Sequence, residues 1–130
     1  MNYKDKVLET LRSMGFEPTQ IGDAGYVFKY EEMNFLYMPE DNDENFLRIS
    51  VPRIFDVTVE NKVAVMEAIH DTTLKLKYVK ANIMFEEAVW IMYEHYLVSN
   101  ENIDDLIEHI INVLHAGVMV FHKYINGEEI

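Results

Sequence analysis

The chain has 130 residues, with 23 acidic side chains against 11 basic ones and a formal net charge of −12 at pH 7. This length predicts a single domain over residues 1–130. The negative charge disfavours nucleic acid and anionic membrane surfaces as partners, and the absence of cysteine excludes disulfides and thiolate chemistry.

The sequence also argues against a membrane or secreted protein. It contains no run of about 18 apolar residues, so we expect no transmembrane helix. Its first residues lead into a charged amphipathic segment rather than into the apolar core of a signal peptide. We therefore expect a cytoplasmic protein.

The first predicted element is a helix from Tyr3 to Met14. Gly15 follows where a left-handed C-cap is needed, and Pro18 prevents continuation. The apolar positions that recur at helical spacing are Val7, Leu8, Leu11 and Met14.

Three strands are predicted next. Tyr26–Tyr30 and Met33–Met38 alternate around the polar pair Glu31-Glu32, which predicts an antiparallel hairpin. A third strand runs from Phe46 to about Phe55, and Pro52 within it suggests an edge strand or a strand end.

The acidic loop before the third strand begins like a calcium-binding loop, with Asp41 and Asp43. Phe46 then stands where that loop requires glycine, and Pro52 stands where it requires glutamate. The sequence therefore predicts no calcium site.

A second helix is predicted from about Val59 to Leu74, with Thr58 as its N-cap. His70 lies on its apolar stripe and is expected to be buried or to cap a helix end. The stripe at helical spacing consists of Val59, Val63, Met66, His70 and Leu74.

The pattern then changes to strands. Residues from Tyr78 to Phe85 alternate with a period of two, Glu86-Glu87 interrupts them, and Ala88–Leu97 forms a fifth strand. A two-residue turn would place Trp90 opposite Ile83, and a three-residue loop would place Ile91 there. The choice decides which face of the sheet each side chain occupies.

The last predicted element is a long amphipathic helix that begins near Asn100 or Asn102 and reaches about Ile125. Gly127 is a suitable stop. The predicted order is αβββαββα, which defines an α+β protein with three helices against a five-stranded antiparallel sheet.

The fifth strand carries more apolar surface than one wet face allows, because Ala88–Tyr93 is apolar on both sides. Two interpretations remain open: a helix of the same chain covers the second face, or that face meets another chain, with a homodimer as the simplest arrangement. The candidate partner-binding residues are Trp90, Met92, Met84, Leu36 and Met38.

No pattern of catalytic residues stands out. The serines lack a G-x-S-x-G motif, and no glycine-rich phosphate loop is present. Asp105 and His109 form an i, i+4 pair that could hold a metal, but an acidic first turn explains Asp105 equally well. We therefore predict no enzyme, no metal site and no cofactor.

The second half of the chain resembles a known family. The similar segments are Leu76–Ile83, Glu86–Ile91, Glu94–Leu97, the polar break Ser99–Asn102, and the long helix that follows. With the order of elements, they resemble the fold shared by YbjN-like proteins and type III secretion chaperones. This resemblance implies a non-enzymatic domain, often dimeric, whose chaperone branch binds extended client segments.

The resemblance transfers no active-site residue, because the family has no catalytic motif. The sequence also departs from the family at His70-Asp71, where YbjN-like chains often carry an asparagine near the end of the second helix.

Two hypotheses of function follow. The first is a chaperone-like or regulatory module that binds protein segments, preferably basic ones, through apolar surface. The alternative is a small-ligand sensor with a pocket lined by Tyr26, Phe28, Tyr30 and Tyr93.

Overall fold

A computed structural model describes residues 2–128 of the chain. Three helices pack against one six-stranded antiparallel sheet with the strand order β1-β2-β3-β4-β6-β5. The elements are α1 (Tyr3–Ser13), β1 (Thr19–Ile21), β2 (Gly25–Tyr30), β3 (Met33–Tyr37), β4 (Phe46–Asp56), α2 (Lys62–Lys75), β5 (Val79–Met84), β6 (Ala88–Tyr96) and α3 (Ile103–Ile125). The predicted α+β class with three helices is confirmed, whereas the prediction of five strands is wrong because β1 was missed.

β1 escaped prediction because it is short and lies at the edge of the sheet. Its three residues are all exposed, so they show no alternation of apolar and polar side chains. It pairs with β2 through Gly25, opposite Ile21. Gly25 has φ 141°, and a Cβ there would lie 2.1 Å from the carbonyl oxygen of Tyr37. Only glycine therefore fits where the start of β2 passes the end of β3.

The first and last helices begin and end close to where the sequence predicts. The side chain of Asn2 caps α1 by accepting from the Asp5 N–H, and Asn102 caps α3 by accepting from the Asp105 N–H. Gly15 after α1 has φ 95°, and Gly127 after α3 has φ 71°.

The hairpin of β2 and β3 is confirmed. Tyr30 pairs with Met33, so Glu31 and Glu32 form a two-residue turn, with φ angles of 50° and 63°. Two left-handed residues are the backbone conformation of a type I′ turn.

Pro52 lies neither at an edge nor at a strand end. β4 is a central strand between β3 and β6, and its register shifts between Val51 and Phe55. The bulge accommodates the missing N–H of Pro52 and leaves Arg53 in the left-handed region, with φ 53°.

Both predicted registers of the second hairpin are wrong. Ile83 pairs with Val89, and Asn82 pairs with Trp90. The connecting loop includes Phe85, whose φ of 58° removes it from the strand.

All three helices contribute to one core on a single face of the sheet. The strand side chains on that face include Phe35, Tyr37, Ile49, Ile91 and Tyr93, and helix side chains such as Val7, Leu11, Val65, Leu114 and Phe121 pack over them. Within residues 2–128, no helix combines the length and the apolarity needed to cross a bilayer.

Candidate protein-binding surfaces

The predicted apolar stripe of α2 faces away from the core. Val59, Val63, Met66 and Leu74 are between 55 and 92% exposed, and His70 is exposed with them. The prediction that His70 is buried or caps a helix end is therefore wrong, since it lies in the middle of α2. We call Val59, Val63, Met66, His70 and Leu74 the α2 stripe.

The inward side of α2 explains this orientation. Its buried residues are Val65, Ala68 and Thr72, and the Thr72 hydroxyl donates to the Ala68 carbonyl at 2.7 Å. Ile69 also packs against the core from this side of the helix. α2 thus carries apolar side chains on both sides, and those of the α2 stripe are on the outside.

The start of α2 is built by two reciprocal hydrogen bonds. The Thr58 N–H donates to Asn61 Oδ1 at 2.8 Å, and the Asn61 N–H donates to Thr58 Oγ1 at 3.2 Å. Thr58 therefore caps a turn that precedes the helix, and α2 starts at Lys62, three residues later than predicted. Val59 lies within this turn, just before the helix, and is 92% exposed.

An open groove of about 680 Å³ runs beside the α2 stripe, between α2 and β5. Val59 and Met66 of the stripe line it together with Val57, Ile69 and Ile83. Thr58, Lys62, Asn82 and Glu86 also line the groove, so it joins the α2 stripe to the edge of the sheet through a mixed apolar and polar surface.

The five predicted partner-binding residues all lie on the sheet face opposite the helices. Pairing places Leu36 opposite Ser50 and Ser50 opposite Met92, so these three form one row, and the two-residue alternation puts Met38, Met84 and Trp90 on the same face. Leu36 and Met92 are only 4 and 5% exposed, whereas the other three are half-buried. The accessible part of this face is therefore Trp90, Met84 and Met38.

We call the sheet face opposite the helices the open face, and one end of it is charged. Arg48 of β4 and Lys80 of β5 both bond the carboxylate of Glu94 on β6, and Glu40 lies 3.7 Å from the Arg48 guanidinium. The hydrogen bond from Lys80 is the main cause that holds the pKa of Glu94 below its usual range. Burial opposes it, and Arg48 reinforces it.

The other end of the open face carries an aromatic pair at the hairpin turn. Phe85 is 74% exposed, and its ring packs edge-to-face on Trp90 with centroids 5.9 Å apart. We call Phe85 and Trp90 the tip pair. Sequence reasoning missed Phe85 because it continued the alternation of the preceding strand.

The backbone conformation of Phe85 is unfavourable in free energy. Phe85 and Glu86 have φ angles of 58° and 59°, and the Glu87 N–H donates to the Met84 carbonyl at 3.1 Å. The left-handed conformation costs an L-residue with a bulky side chain roughly 1–2 kcal/mol. Glycine or asparagine would adopt the same turn more easily.

Carboxylates dominate the charge around the tip pair. Arg53 lies 3.0 Å from Glu87 and 4.0 Å from Asp56, and these are its ion pairs among the described residues. Glu86 is exposed in the turn itself. The residues around the turn therefore carry three carboxylates and one guanidinium, and Lys62 lines the groove that Glu86 also borders.

The four aromatic residues of the predicted ligand pocket do not come together. Phe28 lies in the core, stacked on Phe35 at 5.3 Å between ring centroids. Tyr93 lies on β6 and stacks on Tyr78 at 6.2 Å, with β3 and β4 between it and the aromatic residues of β2.

The histidines of α3 contact aromatic rings. His109 packs edge-to-face on Tyr78 at 5.1 Å, and His115 packs in the same way on Tyr30 at 5.8 Å. Across residues 2–128, no three side chains of His, Asp or Glu are grouped as metal ligands.

The element order, the single antiparallel sheet and the helices on one face define the YbjN-like fold. The chain superimposes on YbjN from E. coli, described as a candidate transcription regulator, with a TM-score of 0.68 and 10% sequence identity, over 90% of this chain and 87% of that one. It also superimposes on an uncharacterised protein from Methanothermobacter thermautotrophicus with a TM-score of 0.60 and 16% identity, over 97% of this chain and 99% of that one.

No protein-family model and no curated protein matches the sequence. At these identities the two structural neighbours establish the fold alone. The resemblance to YbjN-like proteins is thereby confirmed as a resemblance of fold.

Proposed function

We propose that this chain is a regulatory module of the cytoplasm, without catalytic activity of its own, that acts by binding other proteins. Two copies associate through the α2 stripe. Chaperone-like capture of extended client segments is a narrower form of the same proposal. The description of YbjN as a candidate transcription regulator supports a regulatory role.

The exposure of the α2 stripe is the observation that carries the proposal. Its apolar side chains recur over about three turns of α2, with Val59 just before the helix, next to a groove lined by both apolar and polar side chains. Contiguous apolar surface of this kind marks interaction sites in soluble proteins. A twofold axis near Met66 would cover the stripe with its own copy, which is the commonest form of assembly.

Charge gives this association a characteristic salt dependence. Each copy carries a net charge of −12, so two copies repel each other at low ionic strength. Salt screens this repulsion and leaves the apolar contact intact. We therefore expect the dimer to tighten as salt is added.

Sedimentation equilibrium tests the dimer. The wild-type chain should approach twice its mass of 15.3 kDa with increasing concentration, and Met66→Asp should stay at that mass while keeping its circular dichroism spectrum. Met119→Asp is the matched control, because Met119 is similarly exposed on α3, away from the stripe. A wild-type chain that remains monomeric up to millimolar concentration would contradict the proposal.

A further inference from the structure

The turns of the β2–β3 and β5–β6 hairpins share a backbone conformation but differ in the side chains that they expose. Each places two consecutive left-handed residues at its tip: Glu31-Glu32 in the first turn and Phe85-Glu86 in the second. Charged side chains at the first tip are solvated. At the second tip, the aromatic ring of Phe85 is exposed to solvent, and its residue adopts a left-handed backbone conformation that is unfavourable for a bulky side chain.

The Phe85 ring packs against a second aromatic ring and lies in an acidic part of the surface. Trp90 supports it edge-to-face on the sheet face that carries no described helix. Asp56 and Glu87 both pair with Arg53, at 4.0 and 3.0 Å, and Glu86 is exposed in the turn next to Phe85. An exposed aromatic pair next to an excess of carboxylates has the features of a binding site for a cationic group.

We propose that the tip pair binds a basic segment of another protein, with an arginine guanidinium stacked on the aromatic rings. The planar guanidinium is weakly hydrated and stacks on aromatic faces, and its N–H groups would donate to the carboxylate of Glu86, since Asp56 and Glu87 are paired with Arg53. This goes beyond the proposed dimer, because Phe85 and Trp90 belong neither to the α2 stripe nor to the groove beside it, which Glu86 also lines.

Charge selects this occupant over the alternatives. A second copy would bring its own Asp56, Glu86 and Glu87 against the same carboxylates, and the net charge of −12 repels nucleic acid. A basic segment is attracted by the local carboxylates and by the protein as a whole.

Trp90 is the only tryptophan of the chain, so its fluorescence reports directly on the site. The probe is a short synthetic peptide with arginine at alternate positions, titrated by fluorescence and by calorimetry. We expect saturable binding, and about tenfold weaker binding of the same peptide with citrulline, which keeps the shape of arginine without its charge. Equal binding of both peptides would overturn the proposal, as would a lack of saturation.

Phe85→Asn separates binding from folding. Asparagine suits the left-handed backbone, so the variant should unfold at an equal or higher urea concentration and bind the arginine peptide about tenfold more weakly. Glu31→Asn changes the equivalent turn and should leave peptide binding unchanged. Undiminished binding by Phe85→Asn would overturn the assignment.

Met66→Asp distinguishes this proposal from the proposed dimer. A monomeric Met66→Asp variant should still bind the arginine peptide with wild-type affinity, since the tip pair does not need the second copy. Loss of peptide binding together with the dimer would instead assign the peptide site to the dimer interface and overturn the proposal for the tip pair.

Discussion

Glu94 on β6 accepts hydrogen bonds from Nε and Nη2 of Arg48 on β4, at 3.0 and 2.9 Å. Lys80 of β5 bonds the same carboxylate from the other side. One side chain therefore connects three neighbouring strands on the face of the sheet that the helices do not cover. Its ionised form is the one that both cations stabilise.

Glu94→Gln should reduce stability near neutral pH by about 1 kcal/mol. The pKa of Glu94 is lower in the folded chain than in the unfolded chain, so its contribution is present above the unfolded pKa and is lost as the pH falls through the folded pKa. Urea unfolding at neutral and at strongly acidic pH checks this sign. The two proteins should converge in acid, and an undiminished difference there would contradict the prediction.

Gly25→Ala should lower the free energy of unfolding by about 3 kcal/mol or prevent folding. Its Cβ would lie 2.1 Å from the carbonyl oxygen of Tyr37 in β3, and β3 is hydrogen-bonded to β2 on one side and to β4 on the other. Gly22→Ala is the control, since Gly22 is also left-handed but has no atom within 4 Å of an added Cβ. It should cost only about 1 kcal/mol in thermal or urea unfolding.

Met92→Asp should unfold the protein or cost about 3 kcal/mol, because it places a carboxylate where the side chain is only 5% exposed. Trp90→Asp should be tolerated better, since Trp90 is half-buried at the open end of the same face. Urea unfolding of both variants checks this difference. The structure thus corrects the expectation that Met92 is an accessible binding residue.

Val65→Ala and Val63→Ala remove the same atoms from opposite sides of α2. Val65 is fully buried, so its truncation should cost about 2 kcal/mol. Val63 is 70% exposed and should cost less than about 0.5 kcal/mol in the monomer. Equal costs measured at a concentration where the chain is monomeric would contradict this prediction, and a larger cost for Val63→Ala would show that α2 faces the other way.

Elements whose pattern had a single interpretation were predicted well. The apolar stripe of α3 is unbroken from Ile103 to Phe121, and the side chains that form it are buried as expected. The first hairpin was predicted because Glu31-Glu32 is the only polar break between two alternating segments. In both cases local pattern and tertiary packing favour the same structure.

α2 was misoriented because it is apolar on both sides. The stripe defined in the sequence lies outward, and Val65, Ala68 and Thr72 face inward. Which of two apolar sides packs on the core is a tertiary property that periodicity does not contain. The second hairpin failed for a related reason, since nothing in the alternation marks Phe85 as left-handed.

The outer strands of the sheet determine how the protein behaves when it is crowded. β1 offers a neighbour only three residues, and on β5 the N–H of Ile83 is bonded by the side chain of Asn82 at 2.9 Å. Neither edge strand, β1 or β5, therefore presents a long row of free N–H groups with which further chains could pair to form fibrils. We therefore expect that the exposed apolar side chains of this protein do not lead to amyloid growth through its edge strands.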